Sequence, residues 1–387
     1  MVTQEQNQTL TQVGPGTPGG EMLRRYWHPV AAAAELTEDA PIKRVELLGE
    51  KLVVYRDRSG AYGLVAEQCP HRLASLAFGR VEEDGIRCPY HGWKFSAQGK
   101  CLETPAEPKG STLKESIDHP AYPVERLGGM LFAYLGRDPV PALPRWDVLA
   151  WERGERWVQR HSVLQCNWLQ AMENSVDPSH LYWLHGRTAH LAKDLDHYEE
   201  KHEFIPFDHG ILKRRISAGE AGRNVDQHPL LFPNILRHVL KTRDTGRLMH
   251  NLQYRVPMND TQTQIFMVLF SPHDEIRTPP DADTPFEFVD MRGADGDYRM
   301  DFVLAQDVMA WETQGPVADR SREHLGASDK GIHLYRTLVA EQIEAVQNGG
   351  VPFGIDAPDR DAPVIELEVI NQRIGLAQPQ TEAAVPA

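Results

Sequence analysis

The chain has 387 residues, of which 41% are hydrophobic and 25% are charged, as in globular proteins with room for about two domains. Its formal net charge of −14 argues against a nucleic-acid partner and against an anionic membrane surface, because both need a basic face. No apolar run approaches the ~18 residues of a membrane span, and the polar N-terminus lacks the features of a secretory signal. Four cysteines are too few for a disulfide framework in a chain this long, so we expect a reducing cytoplasm.

The first third of the chain predicts a small β domain. Residues 14–20 are rich in glycine and proline and predict a loop. Three short runs with β-branched or alternating apolar residues follow within residues 43–66, and residues 122–137 have the pattern of strand, turn and strand. The proline-rich residues 138–146 then predict a linker.

The remainder predicts an α+β domain with helices packed on an antiparallel sheet. A helical segment is expected from Asn167 through Leu184. Later strands are expected at 202–217, 247–257 and 263–270, and later helices at 302–314 and 329–347. The patterns divide the chain into an N-terminal segment that packs on the second domain, a β domain, the α+β domain and a flexible tail, with bounds 1–40, 41–140, 141–375 and 376–387.

Two short stretches of the β domain each contribute one cysteine and one histidine. Cys69 and His71 form a C-x-H pair, and Cys88 and His91 form a C-x-x-H pair. Thiolates and imidazoles together suit either Zn²⁺ or an iron–sulfur cluster. Zinc fingers usually pair like with like, whereas a Rieske centre needs two sulfurs on one iron and two nitrogens on the other. The pattern therefore favours a Rieske [2Fe–2S] cluster over zinc. The other two cysteines, Cys101 and Cys166, fit neither stretch and are expected to be core residues.

The stretch CPHRLASLAFGRVEEDGIRCPYHGWKF at 69–95 closely resembles the Rieske family. Respiratory members carry an additional cysteine pair that bridges the two loops, and this sequence has none there. The resemblance therefore points to the soluble oxygenase or ferredoxin branch.

A second group of polar residues lies in CNWLQAMENSVDPSHLYWLHG at 166–186. Asp177 followed by Pro178 is a helix-start signal. His180 and His185 follow five residues apart, and they could converge on one metal ion between helix and sheet. Two imidazoles and one carboxylate with open positions are the usual ligands of non-haem Fe(II) that binds O₂.

The N-x-x-D-x-x-H-x-x-x-x-H pattern of this stretch resembles the Rieske non-haem iron oxygenases, in their phthalate-dioxygenase-like branch. The resemblance implies His180 and His185 as iron ligands, and Asn174 as a polar residue beside the iron. It implies that the Asp177 carboxylate bonds a cluster histidine, matched by His91, and an iron histidine across a subunit boundary. The third ligand is expected from QDVMAWETQGP at 306–316, where Asp307 is preferred and Asp301, just before it, is the alternative.

This resemblance also implies a helix-grip (START-like) catalytic domain with a mononuclear Fe(II) and O₂ as co-substrate. The expected partners are a separate flavin reductase with a ferredoxin-type domain, a small aromatic substrate and two further copies of the chain in a homotrimer, sometimes stacked into a hexamer. The expected reaction is mono- or dihydroxylation or oxidative O- or N-dealkylation. Two alternatives stay open: an electron carrier without the mononuclear iron, and a structural zinc protein. Residues 250–255, residues 266–270 and Tyr298 are candidates for the pocket, although ordinary sheet core is the favoured interpretation for them.

Overall fold

The computed structural model describes residues 2–186, 200–219, 222–242, 245–355 and 363–376. Almost all of the predicted tail at 376–387 lies outside the described residues. No described helix is long and apolar enough to cross a membrane.

The described residues form seven α-helices, twenty strands and six short 3₁₀ helices. The α-helices are α1 (Gln4–Thr11), α2 (Pro18–Leu23), α3 (Asp147–Ala150), α4 (Trp168–Ser175), α5 (Ser179–Trp183), α6 (Val303–Glu312) and α7 (Lys330–Gln347). The strands are β1 (Trp27–Ala32), β2 (Ile42–Leu47), β3 (Glu50–Arg56), β4 (Tyr62–Ala66), β5 (Arg80–Glu82), β6 (Gly85–Arg87), β7 (Lys94–Phe95), β8 (Cys101–Glu103), β9 (Ala121–Tyr122), β10 (Val124–Leu127), β11 (Met130–Tyr134), β12 (Arg153–His161), β13 (Glu200–Phe207), β14 (Gly210–Gly219), β15 (Gly222–Leu231), β16 (Ile235–Lys241), β17 (Leu248–Asn259), β18 (Gln262–Arg277), β19 (Phe286–Val289) and β20 (Ile370–Asn371).

Between α2 and α3 the chain forms only strands and short 3₁₀ helices, so the predicted β domain is all β. Two four-stranded sheets, in the orders β2-β3-β4-β9 and β5-β6-β7-β8, enclose a core that includes Val53, Tyr55, Trp93 and Phe95. A third sheet in the order β1-β11-β10 joins this region to the main core of the chain. Strands β2, β3 and β4 match the three predicted runs. The middle residues of β3 and β4 are buried on both faces, with Leu52, Val54 and Leu64 in the main core and Val53, Tyr55 and Val65 in the core of the β domain.

The second part is built on one large sheet in the order β13-β14-β15-β16-β17-β18-β12-β19, with β20 added at β15. Every pairing in it is antiparallel except that of β12 with β19. Helices α4 and α6 pack on one face of this sheet. The contact includes Ala171 of α4, Leu304 and Trp311 of α6, and Met267 of β18, all of which are buried. The sheet with its covering helices confirms the predicted α+β class.

Helix α7 packs on the main core through one stripe of side chains. Tyr335, Val339, Ile343 and Val346 are buried and follow the i, i+4, i+8, i+11 spacing of a single helix face. The prediction of a helix at 329–347 is therefore confirmed nearly to the residue.

Two local predictions were wrong. Residues 14–20 are not all loop, because Thr17 caps α2 and Pro18 takes its first position. The helical segment from Asn167 is two helices, because the chain turns at Asp177 and Pro178 before α5 begins. In both places the capping signal was present in the sequence, and a proline marked the start of a new helix.

Candidate functional site

The turn between α4 and α5 places two histidines over the large sheet. Asn167 caps α4 by accepting a hydrogen bond from the Leu169 amide, and its own amide group donates to Thr11 O and Asp260 O. After α4 ends, Asp177 Oδ1 accepts from the Ser179 amide at 2.9 Å and starts α5. The short α5 and the turn after it then present His180 and His185 toward α6.

His180, His185 and Asp307 converge on one point. Their potential ligand atoms all lie within 4.8 Å of one another. Asp307 Oδ1 is 3.1 Å from His185 Nε2 and 3.6 Å from His180 Nε2. Asp301, the alternative third ligand, is exposed in the turn before α6 and is not part of this group. The structure thus brings together the preferred three residues of the sequence prediction.

The other ring nitrogen of each histidine is occupied by protein. His185 Nδ1 lies 2.7 Å from Gln306 Oε1, and the amide of Gln306 donates in turn to Met300 O at 2.6 Å. His180 Nδ1 bonds the main-chain carbonyl of Asp177. Each contact orients its ring so that Nε2 faces Asp307, which is the arrangement usual for histidines that bind a metal.

The electrostatics of the three residues also suit a divalent cation. Burial lowers the pKa of His180 to about 3, so its imidazole is neutral and can offer a lone pair. Burial opposes charging of His185 as well, but its bonds to Asp307 and Gln306 raise its pKa overall. Two imidazoles and one carboxylate leave coordination positions open, so the residues fit a mononuclear iron site.

Asn174 lies at the edge of this group, with its side-chain amide 3.5 Å from Asp307 Oδ1. The contact is at the limit of a hydrogen bond, so it contributes to the position of the carboxylate only weakly. The adjacent Glu173 is held more firmly, because its carboxylate accepts from both Arg320 and Arg336. This buried ion pair anchors α4 to α7 and to the segment after α6.

Gln306 was not singled out from the sequence, and we expect it to matter for metal binding. Replacing it with leucine removes the acceptor that orients His185, which should weaken Fe(II) binding about 10–100-fold. Gln306→Glu keeps an acceptor oxygen and should retain most of the affinity. The measurement is Fe(II) titration of the iron-depleted protein. Gln314→Leu is the matched control because this glutamine is exposed just beyond the same helix; an equal loss in both leucine variants would contradict the role.

The two cysteine–histidine loops meet at one end of the β domain. Cys69 and Cys88 are buried, and the rings of His71 and His91 lie 4.5 Å apart. The His71 ring also stacks on Trp93 at 4.6 Å. Nδ1 of His91 is buried and has no hydrogen-bond partner among the described residues. A Rieske cluster takes two sulfur and two nitrogen ligands from the protein. The two buried sulfurs, the two adjacent imidazoles and the ring nitrogen without a hydrogen-bond partner fit this requirement.

Tight backbone turns hold both loops in place. The Leu73 amide donates to Cys69 O, and the Gly92 amide donates to Cys88 O. Gly92 has a φ of +75°, a conformation that glycine adopts without strain. The Arg87 guanidinium donates a hydrogen bond to Gly92 O at 2.6 Å, which helps to fix the loop that contains Cys88 and His91.

Large apolar side chains are exposed around the cluster loops. Leu73, Phe78 and Tyr90 are 64%, 70% and 55% exposed. Arg44 stacks over the ring of Phe78, and Arg72 over that of Tyr90. We call these five residues the cluster tip. Such a group of exposed aromatic and basic side chains is typical of an interaction surface.

The carboxylate of Asp177 is about one-quarter exposed, and its Oδ2 is 3.8 Å from His180 Nδ1. Burial raises the pKa of this carboxyl, although the Ser179 amide and Lys213 act in the opposite direction. Among the described residues of one chain, no contact joins Asp177 to His91. The predicted bridge through Asp177 therefore stays a prediction, and it requires a second chain.

The inner face of the large sheet carries many polar side chains that sequence reasoning missed. Residues paired across strands share a face, and Lys213 opposes His228 while His238 opposes Asn251. Gln253 and Arg255 lie on the same face of β17, which packs on α4 and α6. The buried polar side chains of this face are Lys213, Asp226, His228, Asn251, Gln253 and Arg255. In the predicted pocket segment 250–255, alternate residues thus lie on the face that α4 and α6 cover, and the others face the main core.

Comparison with known proteins agrees with these two sites. Residues 26–123 match the Rieske [2Fe-2S] domain family, and residues 293–372 match the family described as LigXa C-terminal domain like. The 5,5′-dehydrodivanillate O-demethylase oxygenase subunit of Sphingobium sp. is 40% identical, and the alignment covers 96% of this chain and 88% of that protein.

Two further relatives extend the comparison. The phenoxybenzoate dioxygenase subunit alpha of Ectopseudomonas oleovorans is 35% identical, over 92% of this chain and 89% of that protein. The phthalate 4,5-dioxygenase oxygenase subunit of Pseudomonas putida is 29% identical, over 92% and 89%. The solved structure of NdmA from Pseudomonas putida CBB5 shares the fold, with a TM-score of 0.68, 22% identity and coverage of 86% of this chain and 94% of that one.

The relatives align over nearly the whole chain, and they are oxygenase subunits. This confirms the oxygenase class that the two motifs predicted. It gives no support to the alternative of an electron carrier. The same relationship implies both metal centres, a Rieske [2Fe–2S] cluster and a mononuclear iron that works with O₂. The chain belongs to the Rieske non-haem iron oxygenases, as an oxygenase subunit of their phthalate-dioxygenase-like branch.

Proposed function

We propose that this chain hydroxylates or O-dealkylates a small aromatic acid. The observation that carries the proposal is the convergence of His180, His185 and Asp307 at a buried point facing the polar inner face of the sheet. The relatives support the substrate class, because dehydrodivanillate, phenoxybenzoate and phthalate are all aromatic acids. The first two are also aryl ethers, which favours an ether-bearing substrate.

The geometry supports the following residue assignments. Cys69, Cys88, His71 and His91 would hold the cluster, and His180, His185 and Asp307 would hold the mononuclear iron. When bound, these centres supply stored electrons and the activation of O₂. The surrounding protein orients the histidine rings, keeps His180 neutral and excludes water through the packing of α6 on the sheet. We also propose that residues 41–140 form the cluster domain and residues 141–375 form the iron domain.

Within this proposal, Asp177 connects the two centres across a subunit boundary. Its carboxylate lies beside His180 and is partly open to solvent, so it can accept a hydrogen bond from outside the chain. Trp183, Met300 and Val303 are exposed near the iron site, at 58%, 46% and 39%. They offer an apolar surface to which the cluster tip of a second copy could bind. If the cluster tip of each copy binds the apolar surface of the next copy, three copies form a closed head-to-tail ring. We therefore propose a homotrimer.

Electrons would come from a separate reductase with a flavin and a ferredoxin-type domain. The four cysteines are free thiols, which suits a cytoplasmic location. The proposed function is tested with a surrogate reductase and a panel of aromatic carboxylates, methoxyaromatics and N-alkyl anilides. We expect O₂ uptake matched by product formation with aromatic acids. Coupled turnover confined to neutral compounds would contradict the proposed substrate class.

The cysteine assignment has a direct test. Cys69→Ser should lose the visible absorbance of the cluster and all activity, because a thiolate ligand is removed. Cys101→Ser is the matched control, since Cys101 is also buried in the same domain but lies outside both cysteine–histidine loops, where its thiol donates to Glu103 O. Visible spectra and iron content check both variants. Retention of the full cluster spectrum by Cys69→Ser would contradict the assignment.

A further inference from the structure

The inner face of the large sheet contains a buried lysine that the two metal sites leave unexplained. Lys213 lies on β14 and is only 3% exposed. Among the residues that the structure describes, no carboxylate is within ion-pair distance of its ammonium group. A buried charge without a counter-ion is costly, so such groups usually serve a bound ligand or a reaction.

The position of Lys213 follows from the strand register. It opposes His228 on β15, and its neighbour two residues away, Ile211, opposes Leu230. Leu230 opposes Leu236 on β16, which opposes Gln253 on β17. Residues opposed in this way share one face of a sheet. Lys213 therefore shares its face with Gln253, and thus with the side of the sheet that α4 and α6 cover.

Lys213 also lies near the turn that carries the proposed iron ligands. Phe204, which opposes Lys213 on β13, meets the main-chain carbonyl of Val176 beside Gly331 of α7. Val176 immediately precedes Asp177 in that turn. The strand register therefore places Lys213 on the part of the sheet that faces the proposed iron site.

The carboxylates near Lys213 form no ion pair with it among the described residues. Asp226 is bonded to Arg215, its partner across the strands. Arg255 is held by neutral groups, Ala171 O and the Ser175 hydroxyl, and its guanidinium stacks over Trp311 at 4.8 Å. Two buried cations therefore face the site without a carboxylate of their own among the described residues.

Several polar atoms of the same face also lack partners. His228 Nε2, Gln253 Oε1 and Arg255 Nε are buried and make no hydrogen bond within the described part of the chain. A native interior leaves few such atoms, so their clustering on one face indicates a polar ligand. The unpaired ammonium and the unsatisfied nitrogens of His228 and Arg255 match an anionic, oxygen-rich molecule. Gln253 Oε1 and Asp226 Oδ1, which also makes no hydrogen bond among the described residues, can only accept and would need a donor group on the ligand.

We propose that Lys213 binds the carboxylate of the aromatic acid and so holds the ring against the iron site. This inference rests on the proposed function and names the residue that selects its substrate class. A charge-assisted hydrogen bond in a buried site contributes enough to change affinity about 10–150-fold. Arg255 lies on the same side of the sheet and adds positive electrostatic potential. Its contacts with α4 and α6 hold its side chain in place.

The test compares an acid with its neutral isostere. 3-Phenoxybenzoate and 3-phenoxybenzamide are titrated into wild-type protein and into Lys213→Met and Lys213→Arg variants, with binding followed by calorimetry. We expect Lys213→Met to weaken binding of the acid about 10–150-fold and to leave binding of the amide within about twofold. Lys213→Arg should restore most of the acid affinity. Lys201→Met is the matched control, because Lys201 lies on the next strand and is 65% exposed.

Two additional measurements distinguish the loss of a ligand contact from the loss of a structural contact. Removing an unpaired buried charge should raise the melting temperature of ligand-free Lys213→Met, whereas loss of a structural contact would lower it. Iron content and the cluster spectrum should stay unchanged.

The acid affinity should also depend on pH. Burial lowers the pKa of Lys213 to about 8, so the ammonium is present below that pH and is lost above it. The charged and titratable groups that face it are Arg215 on its own strand, Asp226 and His228 on β15, His238 on β16, Arg255 on β17, and Asp177 and His180 at α5. Wild-type affinity for the acid should fall above about pH 8, and Lys213→Arg should keep its affinity there.

The outcomes separate the two proposals. If wild-type protein binds the acid and Lys213→Met binds it equally well, Lys213 is not the anion-binding residue, and the proposed function stands. If wild-type protein prefers the amide, and turns over only neutral aromatics, the proposed substrate class is wrong and this inference is wrong with it.

Discussion

Replacing Asp177 with asparagine should stop coupled turnover while both metal centres stay bound. The change removes a carboxylate that lies beside His180 and is partly open to solvent, but it touches no ligand atom. Loss of a group that connects and orients metal ligands commonly costs at least about 10–100-fold in activity. The loss should be larger here if electrons cross between subunits at this residue.

The Asp177→Asn experiment needs three measurements. Iron content and the cluster spectrum should match wild type, and chemical reduction of the cluster should remain possible. The step from reduced cluster to product should be blocked in single-turnover experiments. Asp319→Asn is a suitable control, because Asp319 also caps a short helix but lies at an exposed position away from both sites. Normal coupled activity in Asp177→Asn would contradict the bridge.

Replacing Asp307 with alanine should empty the mononuclear site and abolish oxygenation. Its carboxylate oxygen lies 3.1 Å from His185 Nε2 and is the anionic member of the group of three. The two neutral histidines that remain offer too few ligands to hold Fe(II) firmly. Iron content should fall from about three to about two atoms per chain, since the cluster contributes two.

Asp301→Ala is the matched control for Asp307. The two aspartates are six residues apart, and Asp301 is exposed in the turn before α6. This variant should keep full iron content and most of its activity. If instead Asp301→Ala lost one iron atom and Asp307→Ala did not, the assignment of the third ligand would be wrong.

The cluster loops could be predicted from the sequence because their ligands are local. Cys69 and His71 are two residues apart, and Cys88 and His91 are three apart, so short loops alone bring each pair together. The preceding strands β3 and β4 were also predictable, since each is a short run of β-branched and other apolar residues.

The iron site was less predictable, because its third ligand comes from far along the chain. Nothing in local pattern distinguishes Asp307 from Asp301, and the choice between them rested on resemblance to a family. In the structure Asp307 lies beside His185 while Asp301 lies in solvent, which favours Asp307 as the proposed third ligand. Gln306 could have been noticed as a polar residue beside it, but its bond to His185 is visible only in three dimensions.

Strands β15 and β16 were missed for a related reason. Strand prediction looks for apolar residues on the buried face, and here that face carries Asp226, His228 and His238. The sheet tolerates these polar residues because they face the site. The two missed strands thus carry part of the polar face, whereas Lys213 and Arg255 lie on strands that were predicted.

The separation of His185 from Asp307 has a consequence for the order of folding. The two residues are 122 positions apart, and the intervening chain includes strands β13 to β19. Closing so long a loop carries an entropic cost that only the paired strands can offset. The mononuclear iron site should therefore assemble late, after the sheet, whereas the cluster loops, which lie within residues 69–93, can form early. Metal for the two centres would then be acquired at different stages of folding.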